Sequence, residues 1–385
     1  MRKSFFNTAN KFEPFTALYG MGASPNQVKA AVIQLLNPYV TDKTRLHELA
    51  VSALAGEAIS VARLSSQQDW KAILDTCFAI REKAIAVDDR RAFELMSYFE
   101  SAITEAQKQY SLLVVFEVPK DDLALDEFSF ELFRTLGVLI ESSIQPYIKE
   151  IYCLQIASAG GIVDPIAVAA EDFGQVCEKL EKLLKDATFL TPDPWGVRVN
   201  QLRNIAQHHS YRVQGNSVVA TYGRSQPPKR VVFTRSDLIV LAQELVSRLG
   251  ALKSSRAITH LNHIEKLGSY LPETAPHRYN EATALAASFA TQGFRLLDLT
   301  VTDIQATAVL EDVAPGEGYL RPVHCSQFVA TIASHFPSVS VQVRYLSNGH
   351  HSWTFEASAQ NLERVMQLDE PLRELAQIVT FKKEP

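Results

Sequence analysis

At 385 residues the chain is long enough for two or three compact domains. Its 46% hydrophobic and 21% charged content is that of a globular protein and excludes a disordered or fibrous one. The net charge of −5 makes the chain mildly acidic, so a local basic run stands out against it.

No run of apolar residues is long enough to span a membrane, and the basic start Arg2-Lys3 has no apolar core behind it, which argues against a signal peptide. Cys77, Cys153, Cys177 and Cys325 are scattered, and no pair has zinc-ligand spacing. They are expected to be buried reduced thiols in a cytoplasmic protein.

Residues 1–25, with Pro14, Gly20, Gly22 and Pro25, read as an irregular arm. Ser24 before Pro25 is a helix start, a capping hydroxyl followed by a ring whose missing N–H costs nothing in the first turn. From there to about Gln109 apolar residues recur by threes and fours: Val28, Val32, Leu35 and Leu36, then Leu46, Leu49 and Leu54, then Trp70, Ile73, Leu74 and Cys77, then Phe93, Met96 and Phe99. That is the pattern of several short helices. Residues 112–118 fit either a strand or a helix end before Pro119.

A long helix is expected over 126–158, carried by Phe130, Phe133, Leu136, Ile140, Ile144, Ile148, Ile151 and Leu154 and kinked at Pro146. A second is expected over 164–188, and residues 191–196 break the chain. The next helix carries Arg203 and should end near His209. Gln214-Gly215-Asn216 is a turn between strands at 211–213 and 217–222, and 231–233 is another strand. Thr234 and Asp237 cap a helix that runs to about Ala251. The stretch to about 292 is mostly helical, broken at Pro272 and Pro276. From Phe294, strand-like runs (296–304, 306–310, 339–346, 353–357) alternate with helical ones (324–335, 359–368), which predicts a separate small α+β unit.

The most informative stretch is Arg203-Asn204-Ile205-Ala206-Gln207-His208-His209. It lies in residues 195–235, which hold seven Lys or Arg and no Asp or Glu. An unopposed cationic run carrying an imidazole points to phosphodiester chemistry on a polyanion. The competing reading is a helix end whose arginines are solvated. Geometry sets a condition. Five residues turn a helix by about 140°, so Arg203 and His208 diverge on an unbroken helix. They meet at one phosphate only if the helix ends between them or if two chains combine.

Arg203-Asn204 followed by His208, with Ser210-Tyr211 just after, resembles the HEPN superfamily of helical nucleases, over about 126–252. The resemblance implies a metal-independent endoribonuclease that needs no cofactor and acts as a homodimer, pairing its motifs across a two-fold axis. Arg203, Asn204 and His208 are then catalytic. One His208 takes the proton of a ribose 2′-OH, and the partner subunit's His208, or water, protonates the leaving oxygen. Arg203 stabilises the charge on the transition state, and Asn204 orients phosphate or imidazole. His209, Tyr211, Arg198 and Arg212 are the candidate RNA contacts, with packing of the motif helix as the other role open to Tyr211 and His209. Proteins of this kind serve as toxins or anti-phage effectors. A non-catalytic scaffold that binds RNA or protein is the alternative.

A fainter resemblance, over about 305–385, is to the HPr phosphocarrier fold, an open-faced sandwich with helices on one face. It rests on Arg321-Pro322, Phe328-Val329, Ala333-Ser334-His335-Phe336 and Asn348-Gly349. Tyr319 stands where that family keeps its phospho-accepting histidine, and Asn361 at the regulatory serine. The resemblance therefore implies lost phosphotransfer and a surface that docks a regulatory protein.

His260 and His263 share a helix face but lack a third metal ligand, so no metal is expected. The expected class is mainly α. The expected domains are a helical one at 1–118, the HEPN-like bundle at 119–252, a helical connector at 253–304 and the α+β module at 305–385.

Overall fold

A computed structural model describes residues 13–50, 54–115, 123–223, 225–270, 278–314, 320–367 and 371–383. Arg2, Lys3, Pro119, Arg224, Pro272, Pro276 and Tyr319 lie outside the described residues, as do residues 116–118 of the ambiguous run. The chain is mainly helical, and no described helix is long and apolar enough to cross a membrane.

The first helices are α1 (Glu13–Gly20), α2 (Pro25–Leu36), α3 (Lys43–Leu49) and α4 (Ala55–Ser65). The described end of the arm expected at 1–25 is thus helical. Ser24 starts α2 as its sequence indicates: its hydroxyl accepts from the N–H of Gln27, whose side chain accepts from the Ser24 N–H in return.

The chain divides into two compact units, one made of Tyr39–Thr41 and Ser60–Ala275, the other of Met1–Pro38, Asp42–Ile59 and Pro276–Pro385. The first, central unit contains α5 (Gln68–Val87), α6 (Asp89–Val115), α7 (Leu125–Val138), a π-helical turn (Leu139–Ile144), α8 (Gln145–Ser158), α9 (Pro165–Ala170) and α10 (Phe173–Leu184). It continues with α11 (Val199–Gln207), the antiparallel sheet β1 (Tyr211–Gln214), β2 (Ser217–Tyr222) and β3 (Lys229–Phe233), then α12 (Arg235–Asn262) and α13 (Ile264–Leu267). The ambiguous run at 112–118 is, as far as Val115, the end of α6.

The boundaries expected at 118 and 252 fall inside this unit, and a buried charge cluster explains why. Glu150 of α8 is fully buried. Its Oε2 lies 2.7 Å from Arg81 Nη2 of α5, and its Oε1 accepts from Arg256 Nε of α12 at 3.0 Å. Arg256 also reaches Glu100 of α6 at 2.6 Å. Burial alone would push the Glu150 carboxyl up, but the two guanidiniums outweigh it and hold the group below the usual carboxylate range. Four helices from both sides of the expected boundaries are thus tied to one cluster. α12 therefore runs on past Ala251.

Pro146 breaks the helix expected over 126–158, as its ring and missing N–H require. The break takes the form of a widened turn: residues 139–144 are π-helical, and the Gln145 N–H bonds the Ile140 carbonyl five residues back.

The second unit adds α14 (Arg278–Thr291), β4 (Phe294–Val301), β5 (Gln305–Asp312), α15 (Leu320–His335), β6 (Ser340–Ser347), β7 (His350–Ala357), α16 (Ala359–Met366), α17 (Pro371–Ile378) and β8 (Thr380–Lys383). Its sheet has the order β4-β5-β6-β7-β8. α15 crosses over between the parallel pair β5 and β6, and the other neighbours are antiparallel. Leu299, Ala308, Val343 and Phe355 share one cross-strand row of the buried face, where α14 and α15 pack. Arg321 is buried beneath it. Its guanidinium lies over the Phe294 ring at 3.8 Å and donates to Asp312 and to the Gly293 carbonyl, each at 2.9 Å. All four cysteines are free and buried.

His260 keeps a partly exposed edge, but its Nε2 is sealed from solvent and has no hydrogen-bond partner. Burial, then the charges of Arg256 and Arg81, hold its imidazole well below the usual histidine range. The unfolded chain accepts a proton that the folded chain refuses. Stability is therefore full above about pH 6.5 and falls as pH drops below it, by no more than ~1.4 kcal/mol per pH unit. Urea unfolding at pH 7.5 and 5.5 should show a smaller acid loss for His260→Gln than for the parent.

Candidate active site

α11 is held close to α7 by a small residue. A Cβ at Gly137 would come within 3.1 Å of the Ala206 Cβ, so a larger side chain would force the helices apart. Beside this contact the π-helical turn presents Glu141. On the other side, α10 begins at Asp172, whose Oδ1 accepts from the N–H groups of Gly174 (2.9 Å) and Gln175 (3.3 Å). Between α10, α11 and the β2 end of the hairpin lies a groove of about 650 Å³.

The helix stops where convergence requires. α11 ends at Gln207, and His208 is its C-cap, with φ −94° and ψ 5°. His209 follows in the left-handed region at φ 49°, and the Ser210 N–H closes back on the Ile205 carbonyl at 3.1 Å. This is the usual left-handed helix stop, with a histidine in the place glycine normally takes. The His209 ring stacks on Phe130, centroids 5.9 Å apart and planes 9° from parallel, which favours it in that strained position.

Arg203, Asn204 and His208 all line the groove. Arg198, just before α11, lines the groove as well. The other three expected contacts do not. His209 is the helix stop. Tyr211 stacks on Phe133 at 4.4 Å, so it packs the motif against α7. Arg212 is exposed on β1, outside the groove. His260 and His263 do not converge either: His260 faces Arg81 and Arg256, whereas His263 pairs with Glu82 at 3.0 Å. No cluster of three metal-ligating side chains occurs among the described residues.

The cationic run is unopposed only along the sequence. Arg203 Nη2 pairs with Glu141 at 2.7 Å, and Arg198 Nη2 with Glu181 of α10 at 2.5 Å. Arg235 donates to the Leu123 carbonyl and covers the Phe128 ring at 4.4 Å. Sequence reasoning missed both carboxylates, because each lies outside the basic run: Glu141 on the π-helical turn and Glu181 on α10.

Magnitudes decide what the Arg203–Glu141 pair does. The two side chains are 25% and 43% exposed. An ion pair that open to solvent is worth about 1 kcal/mol or less. Charge-assisted hydrogen bonds to a phosphate are worth ~1.5–3 kcal/mol each. A pair this weak leaves the Arg203 guanidinium able to exchange Glu141 for another anionic oxygen. The groove then offers a guanidinium for anionic oxygens, an amide beside it and an exposed imidazole for proton transfer.

No protein-family model, curated protein or solved structure matches the chain.

The assignment of Tyr211 to packing separates it from its neighbour. Tyr211→Ala should lower the unfolding free energy by about 2 kcal/mol, as loss of a half-buried aromatic stack requires. Arg212→Ala should stay within about 0.5 kcal/mol of the parent. Urea denaturation of both variants checks this.

Proposed function

We propose that the central unit is a metal-independent endoribonuclease of the HEPN type that works as a homodimer. The observation that carries this reading is that Arg203, Asn204 and His208 line one groove. His208 takes the proton from the ribose 2′-OH, which attacks the adjacent phosphorus to give a cyclic phosphate. A second imidazole, from the partner subunit, or a water returns a proton to the departing 5′-oxygen. Arg203 leaves Glu141 to neutralise the developing charge, and Asn204 holds the phosphate or the ring in line. The exposed Phe130 and Val138 on α7, beside the motif, give a second copy an apolar surface to meet. A role as a toxin or anti-phage effector rests on the resemblance alone.

One observation favours a second role for the C-terminal unit. If that unit is HPr-like, Arg321 stands beside the acceptor position. Its guanidinium is buried and held by Asp312 and by the carbonyls of Gln292 and Gly293, so it is not presented to a phosphoryl group. The unit is then a docking module for a regulatory protein.

Purified protein should degrade RNA but not DNA in EDTA, because DNA lacks the 2′-OH. Arg203→Ala and His208→Ala should each lose at least ~100-fold in rate. Variants that cut RNA as fast as the parent would remove the assignment.

A further inference from the structure

The hairpin that borders the groove ends in a tyrosine that stacks on nothing. Val218 and Ala220 of β2 are buried on the face of the sheet that packs on the helices, where Tyr211 stacks on Phe133 and Phe233 meets the same ring. Strand alternation puts Tyr222 next on that face, in register with Lys229 of β3. It lies one step past Ala220, whose neighbours across the sheet are Tyr211 and Val231. There the packed row ends and the groove begins. Tyr222 is half-buried and lines the groove. Among the described residues its ring meets no other ring and its hydroxyl makes no hydrogen bond. The other phenyl ring that lines the groove, Phe173, is 5% exposed and belongs to the buried face of α10.

The end of β2 is tied to the motif. The Thr221 N–H donates to the Ser210 carbonyl at 2.9 Å, and both residues line the groove. Ser210 is two residues past His208, and two residues of backbone span at most about 7 Å. Tyr222 and His208 therefore border the same end of the groove. In a ribonucleotide the base is carried on the carbon next to the one that bears the 2′-hydroxyl. A nucleotide whose hydroxyl meets His208 thus brings its base to the same end. Tyrosine suits that place: it offers a flat ring at the cost of only two side-chain torsions, and every base has a face to lay on it.

We infer that Tyr222 is the base-stacking residue of the groove and takes the face of the nucleobase whose ribose hydroxyl meets His208. That the ligand is RNA rests on the ribonuclease reading above. Stacking of this kind positions the sugar without reading which base it carries.

The test uses the full chain and a fluorescein-labelled 2′-O-methyl penta-adenylate, which cannot be cut, so binding is read apart from catalysis. The control strand has the same backbone without bases. Fluorescence anisotropy should show the base-bearing strand bound about tenfold more tightly than the abasic one. Tyr222→Ala and Tyr222→Leu, the latter keeping apolar bulk on the strand, should bind the two strands alike. Tyr222→Phe should keep the preference, and circular dichroism should show the parent's fold in each variant. Equal affinity for the two strands in the parent or no binding of either overturns the inference. So does a preference that survives in a folded Ala or Leu variant or is lost in the Phe variant. If the parent prefers the base-bearing strand through Tyr222 but cuts no RNA in EDTA, the stacking contact stands and the ribonuclease reading falls. If it cuts RNA in EDTA while Tyr222→Ala keeps the full preference, the reverse holds.

Discussion

The carboxylate of Glu150 lies fully buried between Arg81 of α5 and Arg256 of α12, with Glu100 of α6 closing the cluster. Desolvating such charges costs several kcal/mol per ion, and their attraction roughly repays it, so the cluster is a poor source of net stability. What it fixes is position. The charges can pair with one another only when four helices stand at one height and rotation. α8 is thereby set in place, and the π-helical turn just before it is set as well. That turn carries Glu141, so the polar core determines where a carboxylate meets Arg203.

The groove is built from charges that neutralise each other at rest. Arg203 and Arg198 each hold a carboxylate from another helix, although their own segment contains none. Such a site exerts little long-range pull on polyanions. The same groove has two unlike walls, one from α11 with Arg203 and His208 and one from α10 with Asp172 and Glu178.

Much of this is legible in the sequence where local rules govern. The Ser24-Pro25 start, the turn at Gly215, the cap at Thr234 and the strands and helices after Phe294 follow from capping chemistry, turn residues and hydrophobic period. The stop of α11 was anticipated near His209, and the condition for convergence could be stated from helix geometry alone. Other features depend on partners far away in the sequence. The length of α12 follows from the burial of Arg256, which no local pattern announces. Tyr211 looks like a ligand contact beside a motif until Phe133 of α7 is seen to stack on it, whereas His209 stays exposed, with its ring on Phe130.

The sequence by itself determined the mainly helical class, the change to an α+β texture near residue 294, and the segment that brings arginine, amide and imidazole together. These are properties of residue order, set by period, caps and turns within a few positions. Only the tertiary structure decided that Arg203 and His208 share a groove and that Glu141 and Glu181 neutralise its cations. Each of these depends on how α11 packs against α10 and the π-helical turn, and the register of those contacts is set by the packed core.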